Sequence, residues 1–104
     1  MDALTRLEAT VTERLSADPG TSYVASLNAR GLPTIARKLG EEAIEAVVAA
    51  LSGSSEELVG EAADVLFHLT VLLAAKGISL EQVMTELERR EGTSGLEEKA
   101  SRSR

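Results

Sequence analysis

Apolar residues recur along this chain at the three- and four-residue intervals of a helix. Leu4, Leu7, Val11 and Leu15 fall on one helical face, up to the break at Asp18-Pro19-Gly20, and predict a first helix over about residues 2–17. A second, over 33–52, opens with Pro33, whose missing N–H is a donor that a first turn leaves unpaired anyway, and stops at Ser52-Gly53. A third, over 55–76, follows Ser54, with Glu57 spaced to complete a capping box, and ends at Gly77. The fourth, over 80–91, repeats that spacing with Ser79 and Gln82 and sets Ile78 and Val83 as a hydrophobic staple. Residues 18–31 read as a working loop with room for a turn of helix at 22–27, and residues 92–104 as a polar C-terminal tail.

No run alternates apolar and polar, and no Asn-Gly or Asp-Gly hairpin turn occurs, so the expected fold is all-α, a four-helix bundle. Ile35, Leu39, Ala43, Ala46, Val47 and Ala50 form one face of the second helix. Leu58, Ala62, Val65, Leu66, Leu69, Leu72 and Leu73 form the matching face of the third, and the two faces pack as an antiparallel pair. The third helix is apolar over more of its girth than one small bundle uses. A homodimer or higher homo-oligomer is therefore expected to complete the fold.

Composition narrows the function classes. With one Tyr, one Phe and no Trp the core is aliphatic, and the absence of Cys removes thiolate catalysis, thiolate zinc sites and disulfides. That suits a reducing cytoplasm. A net charge of −6 supplies no basic footprint, so no nucleic-acid partner is expected. The longest apolar run, residues 46–51, is far below the roughly 20 residues of a membrane span, and no membrane partner is expected either.

Seven of the 17 acidic residues lie between Glu41 and Asp64. Glu41, Glu42 and Glu45 form an E-E-x-x-E run, and Glu61 and Asp64 an E-x-x-D run. At about 100° per residue Lys38, Glu41, Glu42 and Glu45 share one side of the second helix, while Glu57, Glu61, Asp64 and His68 form a stripe on the third. If the apolar faces pack together, Glu42 and Glu45 come within reach of Glu61 and Asp64. Convergent carboxylates near a packed face need neutralising, and magnesium, a hard cation that takes oxygen ligands and shares them with phosphates, does so. Such a site offsets polyphosphate charge and acidifies a bound water, as phosphoanhydride hydrolysis requires. Glu41 could orient that water. Blander readings stand beside these: a solvated acidic face, a capping role for Glu57, an i,i+4 pair between Lys38 and Glu42, and a hydrogen-bonded His68 at the site edge.

The paired acidic motifs are similar to those of the all-α, MazG-like nucleoside triphosphate pyrophosphohydrolases. Further segments resemble the phosphoribosyl-ATP pyrophosphohydrolase family: Ser22-Tyr23-Val24-Ala25-Ser26-Leu27 its S-Y-T-A-x-L loop, Lys38-Leu39-Gly40-Glu41-Glu42 its K-V-G-E-E, and Glu61 to Leu69 its E-x-x-D-L-x-Y-H-L. Ser94 to Arg102 resembles the ending S-G-x-x-E-K-A-S-R. Val24, Leu39 and Phe67 depart from the pattern, and Phe67 removes a hydroxyl beside His68. The resemblance implies a stand-alone hydrolase that, with magnesium, converts 1-(5-phosphoribosyl)-ATP to 1-(5-phosphoribosyl)-AMP and pyrophosphate. It implies Glu42, Glu45, Glu61 and Asp64 as metal ligands, and Glu41 and Lys38 as catalytic groups. Ser22, Tyr23, Asn28, Lys38, His68, Lys99 and Arg102 are then the substrate contacts. Two alternatives stay open: a house-cleaning triphosphate hydrolase with the same metal site, and a non-catalytic dimerisation or cation-binding module.

Overall fold

The computed structural model describes residues 2–102, which form six helices: α1 (Ala3–Arg14), α2 (Tyr23–Arg30), α3 (Leu32–Ser52), α4 (Ser55–Ala75), α5 (Leu80–Arg89) and α6 (Gly95–Ser101). No strand occurs among the described residues. The four helices expected from periodicity are present, and both capping boxes form, Ser54 with Glu57 and Ser79 with Gln82. α4 ends in a Schellman turn. Gly77, at φ 71°, lets the Ile78 N–H reach the Leu73 carbonyl at 2.9 Å and its own N–H reach Ala74 at 3.0 Å.

Two segments are corrected. The expected loop at 18–31 is mostly helix: Ser22 caps α2 by accepting the Ala25 N–H, and Val24, Ala25 and Leu27 are buried. The connection shrinks to residues 15–22, where the Asp18 carboxylate accepts the Gly20 N–H in an Asx turn. The polar tail carries α6, started by Ser94, which accepts the Glu97 N–H.

α3 and α4 make an antiparallel hairpin joined at Gly53-Ser54, with α1 against α4 and α2 against α3. The core gathers at the open end of that hairpin, away from its turn: Val11, Val24, Leu27, Ile35 and Val71, flanked by Leu7, Leu15, Phe67 and Leu72. The rest of the hairpin has only itself to pack on. Ala49 rather than Ala50 turns inward on α3, and Ala43, Val47, Leu58, Ala62 and Leu66, expected in the helix interface, are exposed in the single chain. By length and composition α4 could cross a membrane, with a mean hydropathy of 1.7. It nevertheless carries Glu61 and Asp64, and both α1 and α3 pack on it.

Candidate active site

The short turn between α3 and α4 sets their register and brings Glu45 level with Glu61. Carboxylate oxygens of Glu42, Glu45 and Glu61 lie within 4.8 Å of one another. Glu45 and Glu61 line a cleft of about 620 Å³ whose polar lining also includes Ser52, Glu57 and Asp64. Three of the four expected ligands thus converge, and Asp64 lines the same cleft beside them. Gly53 permits the tight turn, since a Cβ there would meet the Ala49 carbonyl oxygen and Glu57 Oε2 at 3.0 Å each.

Glu61 Oε2 is buried with no hydrogen-bond partner, a costly state for a carboxylate oxygen in a folded chain. Burial, followed by the charges of Glu45, Asp64, Glu42 and Glu57, holds the Glu61 carboxyl above its ordinary value of 4.5. Three convergent hard donors, one of them from a residue with an unsatisfied buried oxygen, fit a divalent cation.

Lys38 borders this cluster on α3, its Nζ 3.5 Å from Glu41 and 3.9 Å from Glu42. The i,i+4 pair with Glu42 therefore exists. Glu41 lies outside the cluster, half exposed, and also pairs with Arg37 at 3.6 Å. His68 is buried one turn beyond Asp64, bonded to Tyr23 and to the Asp64 carbonyl. Ser22 and Asn28 are engaged within the fold, Ser22 as the α2 cap and Asn28 by donating to the Leu15 carbonyl at 3.1 Å.

Lys99 and Arg102 sit on or just past α6 and do not line the cleft. That helix is clasped to α5 by buried Glu98, which accepts from Arg89 at 2.8 Å and lies 3.9 Å from Arg90 and Arg102. Sequence reasoning passed over Glu98. Its signal was an acid in the tail, four residues before Arg102, with paired arginines just upstream. Glu57, expected both in the acidic stripe and as a cap, does both: it caps α4 and lines the cleft.

An all-helical frame around a cleft of oxygen donors defines a class of small acidic helical proteins equipped to hold a divalent cation. Within it, residues 4–91 match the family described as phosphoribosyl-ATP pyrophosphohydrolase. A phosphoribosyl-ATP pyrophosphatase of Erythrobacter litoralis is 66% identical over 98% of both chains. One from Novosphingobium aromaticivorans is 62% identical over 98% of this chain and 95% of its own, and one from Rhodobacter capsulatus 56% identical over 98% and 99%. The chain belongs to the phosphoribosyl-ATP pyrophosphohydrolase family and is a hydrolase of histidine biosynthesis.

Proposed function

We propose that this chain hydrolyses 1-(5-phosphoribosyl)-ATP to 1-(5-phosphoribosyl)-AMP and pyrophosphate, the second step of histidine biosynthesis, using magnesium in the cytoplasm. The observation that carries the site assignment is the convergence of Glu42, Glu45 and Glu61, the last with a buried oxygen that has no hydrogen-bond partner. Glu42, Glu45, Glu61 and Asp64 would hold the ion, which when bound supplies positive charge for the polyphosphate and a more acidic water.

The chain's own groups do the rest. Lys38, only partly exposed and already next to Glu42, stabilises negative charge that develops on the phosphates. Glu41, outside the cluster and paired with Arg37 and Lys38, would orient the attacking water or a second ion. Ser22 and Asn28 hold α2 in place so that its exposed side faces the ligand. Lys99, together with Arg102 once released from Glu98, would contact the ribosyl phosphate.

A homodimer completes the fold in this reading. Ile44, Val47, Val48, Leu51 and Val59 are each more than half exposed beside the cleft, an apolar surface too continuous for a lone small domain.

Pyrophosphate release from phosphoribosyl-ATP, with and without magnesium and beside a panel of canonical triphosphates, tests the assignment. Magnesium-dependent release confined to phosphoribosyl-ATP is expected. Release from ordinary triphosphates instead would keep the cleft and discard the pathway, and release from none would leave a binding module.

A further inference from the structure

The chain has one tyrosine, one phenylalanine and one histidine, and the fold gathers all three rings. Tyr23 of α2 and Phe67 of α4 lie near parallel, centroids 6.0 Å apart at 20°. His68 stands edge-on to both, at 5.8 and 5.1 Å.

His68 is buried and both its ring nitrogens are occupied. Nδ1 lies 2.8 Å from the Asp64 carbonyl oxygen and Nε2 lies 3.0 Å from the Tyr23 hydroxyl. A carbonyl oxygen can only accept, so Nδ1 carries the proton; in the neutral ring Nε2 is then the acceptor, and the tyrosine hydroxyl donates to it. No ring nitrogen is left for a ligand or a metal. His68 is thereby moved from the substrate contacts, where the sequence put it, to a supporting position.

Tyr23 is the opposite case. Its hydroxyl is tied to a buried partner and Phe67 lies along its ring, yet the residue remains 49% exposed. A ring fixed at its polar end and open over half its surface is a pre-organised flat apolar platform. His68 lies seven residues beyond Glu61, about 10 Å along α4 at the rise of a helix. At about 100° per residue the two side chains share one face of α4, so Tyr23, bonded to His68, stands on the side of the helix that carries Glu61.

We propose that Tyr23 is the stacking platform for the adenine base, and that His68 is a positioning residue that aims it without touching the substrate. This rests on the reading that the carboxylate cleft takes the triphosphate. Base stacking on one aromatic ring is lost on truncation, so Tyr23→Ala raises KM for phosphoribosyl-ATP about 5- to 100-fold, with kcat nearly unchanged. Tyr23→Trp, which keeps a ring, restores it. Tyr23→Phe removes only the bond to His68 and raises KM about 2- to 10-fold.

With one tyrosine and no tryptophan, the intrinsic emission of the protein comes from Tyr23, which gives a second readout on the unmodified chain. AMP should shorten the emission lifetime saturably, and ribose 5-phosphate, which lacks the base, should not. Turnover by the unmodified enzyme with an unmoved KM in Tyr23→Ala, or an unmoved lifetime with AMP, overturns the platform and leaves the hydrolase reading intact. A lifetime response to AMP in a chain that does not hydrolyse phosphoribosyl-ATP does the reverse. If Tyr23→Ala fails to fold, Tyr23→Trp and the lifetime decide.

Discussion

At one end of the α3–α4 hairpin Ile35 and Val71 close against α1 and α2 with almost no exposure; towards the turn Ile44, Leu51 and Val59 of the same two helices stand 66%, 84% and 69% open. The packed end fixes how the helices meet, and so places Glu42 and Glu45 opposite Glu61. The turn end leaves those carboxylates close together and rimmed by apolar side chains, with Glu42 paired to Lys38 and one Glu61 oxygen without a partner. Stability and chemistry are thus segregated along one pair of helices: the acids would be prohibitively costly in the aliphatic core, and the core would be too small if it had to cover both ends.

Truncation separates the ends most sharply. Leu27→Ala at the packed end is expected to cost about 2–5 kcal/mol, enough to unfold much of a marginal domain, as read by urea denaturation. Leu51→Ala near the turn should change monomer stability by only about 0.5 kcal/mol or less. Equal costs under monomeric conditions would erase the contrast.

Charge tests what covers the turn end. In the proposed homodimer Val59→Asp places an unpaired carboxylate on the apolar rim and should weaken association at least about 100-fold, read by sedimentation at graded concentrations. An unmoved association constant would put the dimer contact elsewhere.

Acid titration distinguishes the two kinds of carboxylate. The Glu61 carboxyl is raised above 4.5, chiefly by burial, so its contribution to stability is full below that value and is lost as pH rises through the folded value. Without metal, the unmodified chain should therefore lose stability relative to Glu61→Gln as pH climbs from 4.5 towards neutrality. Glu86, bonded by Arg89 and Arg90 and pulled down to about 2, runs the other way. Its contribution is present above 4.5 and disappears as pH falls from there towards 2. Urea melts of the parent, Glu61→Gln and Glu86→Gln across that range read both slopes, and a common sign would contradict the assignment.

The smallest effect is expected at the α5–α6 clasp. Arg89→Ala removes the 2.8 Å contact to Glu98 and should speed amide exchange in α6 while leaving the melting temperature of the bundle nearly unmoved.

Much of this was legible in residue spacing. Caps and sustained periodicity carried α1, α3, α4 and α5, because each buries or presents a recurring face over at least ten residues. α2 and α6 have eight and seven residues, too few turns for a period to declare itself, so α2 showed only as a turn of helix and α6 as polar tail. The acidic site followed from the hairpin: Gly53-Ser54 makes a turn so tight that Glu45 and Glu61, at nearly equal distances from it, must lie alongside each other. Which carboxylates meet was less accessible, since Asp64 stands outside the closest three and the inward face of α3 is rotated to Ala49. The bond from Tyr23 to His68 spans 45 positions and depends on how α2 docks, for which spacing along the chain holds no signal.

The open carboxylate cleft, with Glu61 at its centre, is the proposed metal and phosphate site. The most direct test is the magnesium dependence of pyrophosphate release by Glu61→Gln beside the parent, with the fold of each checked by circular dichroism. The variant is expected to fold, to need more magnesium and to lose turnover at least about tenfold, the lower bound found even for outer-shell partners of metal sites. Unchanged magnesium-dependent turnover in a folded Glu61→Gln chain would remove Glu61 from the site and contradict the account.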